Sequence, residues 1–296
     1  MKKFFGFSMV LVGIVLFVFS ISEWGFRFGW IKAKPVRKTI SIQKIKQITV
    51  DSAIDLEIYV GKQPELQVVL IDPLFPKHQI SVNQVQQQLR VKIAPSIVDF
   101  MMQDRPKVRI EVPASYHQHL TLLTKENAWV EGRYATQQWK LNRLSIQANR
   151  GETNVNHLAL RHFHFQSPTG NLNAKRVTID DSSIQILSGN LRFDQYTGQL
   201  NARIYSGNIT AQLLQLTKPI QMSITSGNIR LTLPTAASFQ LDALARRGWI
   251  QSSFQIKGMM SEHRWKGQHR EGNHLLQLQT QSGNIMLNQL KRSSRP

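Results

Sequence analysis

A short corner recurs through the second half of the chain: Thr169-Gly-Asn-Leu, Ser188-Gly-Asn-Leu, Ser206-Gly-Asn-Ile and Ser226-Gly-Asn-Ile, with a later copy at Ser282-Gly-Asn-Ile. Gly151, Gly170, Gly189, Gly207 and Gly227 stand 19, 19, 18 and 20 residues apart. A period near 20 means stacked structural coils, because each repeat is too short to bury a core alone and must bury it against its neighbours. The columns around the glycines bear this out. Five residues before the corner stand Ile146, Phe165, Ile184, Ala202, Met222 and Leu278, and four after it Val155, Ala174, Phe193, Ala211, Leu231 and Leu287. Together with the columns three before and two after, 21 of 24 places are apolar. The overall apolar share of 41% would give about ten by chance.

Steps of two on either side of the corner are strand alternation, whereas the step of five across it means the corner resets which face points inward. Glycine permits this by reaching positive φ, and the flanking Ser and Asn can satisfy local backbone groups. The expectation is an all-β fold, an elongated parallel β-solenoid over residues 40–290 with coils of about 19 residues. Its structural corners are Gly151, Gly170, Gly189, Gly207, Gly227 and Gly283, with Asn171, Asn190, Asn208, Asn228 and Asn284 beside them. Asparagines repeating at the strand spacing of about 4.8 Å can bond one another in a ladder, and that structural role is favoured over ligand binding. The number of strands per coil and the handedness are left open by the pattern.

Upstream, alternating runs such as Ile48-Thr-Val50, Leu89-Arg-Val-Lys-Ile93 and Val108-Arg-Ile-Glu-Val112 read as strands, separated by Pro73, Pro76, Pro95, Pro106 and Pro113. Downstream, Ala243, Ala245, Gly248 and Ile250 keep the corner register; Ser253 to Asn273 then interrupts as a loop or closing coil before Leu275 to Leu287 restores the pattern. The segment 291–296 is a basic tail.

Met1-Lys-Lys precedes an uncharged, mostly apolar run from Phe4 to Ile21, just long enough to cross a bilayer as a helix. Residues 1–22 are therefore a transmembrane anchor or a signal segment, and the length of the run favours the anchor. Residues 23–39 form a basic juxtamembrane linker. A single-pass protein of the cell membrane with an extracytoplasmic solenoid follows, although Arg27, Lys32, Lys34, Arg37 and Lys38 put more positive charge after the run than before it, which opposes that orientation.

Thirty-seven Lys and Arg against eighteen Asp and Glu give a net charge of +19, which favours acidic partners. The candidate anionic-surface binding residues are Arg246, Arg247, Lys257, Arg264, Lys266 and Arg270 in the interrupted stretch, and Lys32, Lys34, Arg37 and Lys38 in the linker. Anionic lipid or a wall polymer fits an exported domain better than nucleic acid, and a protein partner is the other target open to such a binder; the alternative class is a self-associating scaffold whose coils stack end to end into filaments at the membrane. No cysteine is present, which excludes disulfides, thiol catalysis and thiolate metal sites. His162 and His164 alternate with Phe163 and Phe165, and with no acid at ligand spacing they read as surface residues, as do His117 and His119. Asp180 and Asp181 are adjacent and would point to opposite faces, so they cannot act as an acid pair. The expectation is a non-enzymatic chain without cofactor or metal.

The run Ile48-Thr-Val-Asp-Ser-Ala-Ile-Asp-Leu-Glu-Ile58, the Ser-Gly-Asn-Ile corners, Leu233-Pro-Thr-Ala-Ala-Ser-Phe-Gln-Leu-Asp242 and Leu278-Gln-Thr-Gln-Ser-Gly-Asn-Ile-Met-Leu287 resemble the bacterial putative-adhesin domain family of β-strand repeats, which includes membrane-anchored LiaG-type envelope proteins. The resemblance covers most of the chain after the apolar run. It implies an all-β solenoid-like exported domain linked with envelope stress or surface contact, with no catalytic residues to carry over. Such proteins commonly carry Asp after the corner glycine, where this chain has Asn.

Overall fold

The alternation that fills the sequence becomes strands throughout: in a computed structural model, residues 37–71, 79–94, 107–134 and 137–290 are described, and they contain 23 strands and no helix. The apolar run at 4–21 and most of the linker lie outside the described residues. In the middle of the molecule each coil has three straight sides. The first is the segment before the glycine, such as Leu200–Ser206; the second follows the corner, as in residues 209–212; the third is short, as in residues 213–215. Residues 150–188 trace two full coils as one continuously paired stretch, Arg150–Ser188.

Stacking is parallel and in register. Ile186 pairs with Ile204, Ile204 with Ile224, and Ile224 with Thr280. On the second side Leu191, Ile209, Ile229 and Ile285 form an equivalent column. These side chains are almost completely excluded from water. Burial of each Leu or Ile contributes about 1.5–3 kcal/mol, so the axial core is the main source of stability. Tyr196 closes the core on the third side: its ring lies 4.6 Å from Phe193 and its hydroxyl donates to the Gln199 carbonyl. Burial pushes the Tyr196 phenol above its ordinary pKa, as it does that of Tyr116, whose hydroxyl donates to the His119 carbonyl at 2.8 Å. One buried polar atom, Ser167 Oγ, finds no partner among the described residues.

The order of coils in space departs from chain order at both ends. The segment Gln47–Ser52 lies between Gln88–Ala94 and His119–Thr124, although both follow it in sequence. At the other end the last coil in the chain, His274–Ser282, inserts between Ile220–Ser226 and Phe239–Arg247. The coil that keeps the corner register at 239–252 is therefore the outermost one, not the neighbour of the Gly227 coil.

The purely parallel solenoid expected from the repeats also needs correction at these ends. Antiparallel strands cover them. Gln79–Val85 lies against Gln88–Ala94, while Arg37–Ile40 and Leu66–Ile71 extend the second side beyond Lys107–Pro113. At the far end Arg264–His269 runs antiparallel to Phe239–Arg247, with Lys257–Met260 outside it. The interruption at 253–273 is thus a hairpin cap. A bare parallel coil leaves its outermost backbone groups open to another coil, whereas here an antiparallel hairpin strand pairs them and folds back.

Candidate functional site

Gly189, Gly207, Gly227 and Gly283 have φ of 147°, 140°, 133° and 139°. Their backbones approach so closely that a Cβ on Gly207 would fall 1.8 Å from the Gly189 carbonyl oxygen. Gly170 differs: its φ is not in the left-handed region, and a Cβ there would meet Ser167 Oγ at 2.7 Å. The asparagines beside these glycines bond to one another. The amide Nδ2 of Asn190, Asn208 and Asn228 donates to Oδ1 of the asparagine one coil earlier at 3.1, 3.2 and 3.3 Å. The backbone N–H of the same residues donates to the same oxygens at 2.8–3.1 Å. Asn284 continues the column by donating its N–H to Asn228 Oδ1, and Trp249 N–H ends it on Asn284 Oδ1. Asn carries both a donor and an acceptor, so it can stack on itself where Asp cannot. The column is committed to structure and has little left for a ligand.

A second corner went unnoticed in the sequence. His157, Arg176 and Gln195 each adopt φ of 53–57°, one above another at 19-residue spacing, without glycine. Their side chains form a bonded column: His157 Nδ1 lies 2.8 Å from Glu131 Oε1, Arg176 Nη1 3.3 Å from His157 Nε2, and Arg176 Nε donates to Gln195 Oε1 at 2.8 Å. Left-handed backbone costs a non-glycine residue roughly 1–2 kcal/mol, which these bonds offset.

The candidate cations fall in two places. Arg264 and Lys266 project from the outward face of Arg264–His269, opposite Leu244 and Asp242. Arg246 and Arg247 are exposed on the adjoining strand end, and Lys257 faces Gln268 on the outer strand. Arg264 Nη2 lies 3.3 Å from Asp242 Oδ1; Lys257, Lys266, Arg246 and Arg247 form no ion pair with any described residue. Arg270 stands at the other end of the same strand and donates to the Thr235 carbonyl at 3.3 Å. Arg37 and Lys38 lie on the outermost strand at the opposite end, and Lys38 Nζ donates to the Ile80 carbonyl at 2.6 Å. Lys32 and Lys34 lie outside the described residues. The two basic groups therefore do not form one surface. On the first side thirteen strands stack from end to end, so roughly 55–60 Å separates them at about 4.8 Å per strand.

The histidines and acids are dispersed. Phe163 and Phe165 are buried, while His162 and His164 face outward. His162 Nδ1 lies 3.5 Å from Asp181, and Asp180 is held by Lys218 Nζ at 2.8 Å. His117 Nδ1 meets the Lys140 carbonyl and His119 Nε2 the Asn142 amide, each at 2.9 Å. Among the described residues no three His, Asp or Glu come together at metal-binding distance.

A family model describing Toastrack proteins of the DUF4097 type matches residues 45–288, which takes in the regular coils, the hairpin cap and all of the other end but Arg37–Ile40. The chain belongs to the Toastrack DUF4097 family. Among solved structures, an adhesin of Bacteroides fragilis, titled as putative, is 12% identical, covers 88% of this chain and 99% of its own, and superposes with a TM-score of 0.51. A second, titled in the same way and from Parabacteroides distasonis, is 13% identical over 86% of this chain and 98% of its own, with a TM-score of 0.45. At such identities the Bacteroides structure shows a shared Toastrack fold and nothing finer. No curated protein matches the chain. No helix among the described residues is long and apolar enough to cross a membrane.

Proposed function

We propose that the chain is a non-enzymatic envelope protein, anchored by the apolar run at 4–21, whose Toastrack domain presents its hairpin-capped end to an anionic polymer of the cell surface. One observation carries this reading. Arg246, Arg264, Lys266 and Lys257 share the terminal three strands, at the end of the stack opposite Arg37–Ile40, the first described strand, in which the linker ends. An elongated domain held at one end displays the other, and the cations there, of which Arg264 alone has an acidic partner among the described residues, attract repeated negative charge. The similar Bacteroides fragilis protein, described as a putative adhesin, agrees with a surface-contact role. Antiparallel caps at both ends favour a binder over a scaffold that polymerises coil to coil, since they remove the open parallel edge such growth needs.

The test uses the full-length chain in nanodiscs of neutral lipid, titrated with isolated phosphate-bearing wall polymer. Affinity should fall more than tenfold between 0.1 and 1 M salt, as the screening length drops from about 10 to about 3 Å. The triple variant Arg246→Glu/Arg264→Glu/Lys266→Glu should abolish binding. Binding that ignores salt, or survives the triple reversal, overturns the reading.

A further inference from the structure

On the second side of the prism the outward residues form a row of a different character from the rest of the surface. Glu57 is followed along the axis by Trp129, Asn154, Asn173 and Arg192 on successive coils. Five residues in this register span about 19 Å at about 4.8 Å per step. Trp129 is 39% exposed although it sits amid a regular sheet. On one flank of its ring lies a groove of 460 Å³ bordered by Asn156, Lys175, Arg176 and Asp194; on the other a smaller one of 220 Å³ is bordered by Asp55, Lys107 and Glu152.

The bonding state of these groups separates them from the structural ladders. Trp139 and Trp265 spend their indole N–H on the carbonyls of Tyr116 and Ser261, whereas Trp129 Nε1 donates to no described residue. Asn154 Oδ1 accepts from Asn173 Nδ2 at 3.4 Å, which leaves its own Nδ2 free of described partners. The Arg192 guanidinium makes no hydrogen bond or ion pair with a described residue. Free donors thus line the larger groove, which has the outward face of the sheet for its floor and the aromatic ring at its edge. The floor is also rigid, since the corner column of Glu131, His157, Arg176 and Gln195 borders it.

We propose that this groove binds a linear oligosaccharide bearing carboxylates, laid along the solenoid axis with one ring stacked on Trp129. An indole face suits the C–H face of a pyranose, because its negative π-cloud meets polarised C–H groups. Asn154 and Asn156 supply amides that can donate to and accept from vicinal hydroxyls. Arg192 presents the planar fork that pairs with a carboxylate, while Lys175 beside it is engaged with Asp194 at 3.7 Å. The acids explain why a sugar fits better than a nucleic acid. Glu57, held by Arg109 at 2.9 Å, Glu152, and Asp194, 3.7 Å from Lys175 Nζ, border the same row, where their remaining lone pairs accept from ring hydroxyls, which a chain of phosphates does not offer. The groove shares no residue with the hairpin cap, so it stands or falls separately from the role proposed for that end.

Tetragalacturonate and a hyaluronate tetrasaccharide are titrated into the full-length chain in neutral nanodiscs, followed by calorimetry and by tryptophan fluorescence. At least one should bind and perturb the fluorescence. Trp129→Ala should weaken it about tenfold, at the upper end of what one stacked aromatic contributes, and Trp129→Phe should restore part of the loss. Arg192→Ala should weaken the acidic sugar while leaving weak binding of uncharged cellotetraose unchanged, and Arg264→Glu/Lys266→Glu should have no effect. The proposal is overturned if neither acidic sugar binds, if Trp129→Ala binds as the parent does, if cellotetraose binds as tightly, or if oligo(dT) of equal length binds more tightly than both.

Discussion

Gly207 illustrates how a single residue type is fixed by backbone crowding. Its φ of 140° and the Gly189 oxygen 1.8 Å from a would-be Cβ oppose any side chain by two independent routes. Gly207→Val should destabilise the domain by at least ~3 kcal/mol, combining strained backbone with overpacking that only main-chain movement can relieve. Gly170→Val should cost less, because Gly170 lies outside the left-handed region and a Cβ there meets a movable hydroxyl, that of Ser167, at 2.7 Å and a backbone oxygen, that of Gly151, only at 2.9 Å. Urea denaturation of the two variants gives the ranking; equal midpoints would show that the corner glycines do not differ as their geometry requires. Tyr196 makes the opposite point about legibility. The period sets it in an apolar column with Leu158 and Val177, but the column lies beyond the glycine corners from which the core was read, and the bend at Gln195 turns its ring into the core.

At the level of the element, the asparagine column behaves as a directional chain of hydrogen bonds. Asn208 Nδ2 gives a bond to Asn190 Oδ1 at 3.2 Å, and its own Oδ1 receives two from Asn228. In Asn208→Asp the donor is lost and a carboxylate oxygen faces the Asn190 acceptor, a change expected to cost about 1–3 kcal/mol. Asn171 begins the run of asparagines: its Oδ1 accepts from Asn190, but its Nδ2 donates to no described residue. Asn171→Asp should therefore be close to neutral. A thermal melt in which both variants lose the same stability would mean that the ladder has no direction. The asparagine spacing was visible in the sequence and its structural role could be argued from it. The column of His157, Arg176 and Gln195 has the same 19-residue period, yet it was missed because non-glycine residues at positive φ carry no compositional mark.

At the scale of the whole molecule, the caps decide whether the stack ends or continues. Arg264–His269 occupies the outer edge of Phe239–Arg247, and Phe239 packs against Phe254 and His269 at 5.3 and 5.4 Å. Replacing residues 257–269 by a short Gly-Ser linker would uncover the six residues Phe239 to Leu244 that the hairpin pairs. Such a variant should self-associate with rising concentration in sedimentation velocity, because an unpaired edge is a template for another chain. A variant that stays monomeric at all concentrations would show that the hairpin serves the surface and not the edge. The same geometry places the cap cations and the linker cations at opposite ends, so charge that looks like one reservoir in composition acts at two sites.

The sequence by itself determined the coil, its period, its inward columns and its corner chemistry. Those features depend on contacts between residues one repeat apart, and every coil restates them. Trp129, Asn154, Asn173 and Arg192 could have been found by applying the period to outward columns, since three of the four are 19 residues apart. What only the tertiary structure decided is the order of coils at the ends. Ile224 and Ala245 both fit Thr280 as a stacking partner, because any coil in register offers the same alternation and the same apolar size. Pattern is therefore degenerate with respect to neighbour. The choice is made by the hairpin at 257–269, which occupies the free edge of the 239–252 coil and leaves the last coil in the chain to stack between its two predecessors.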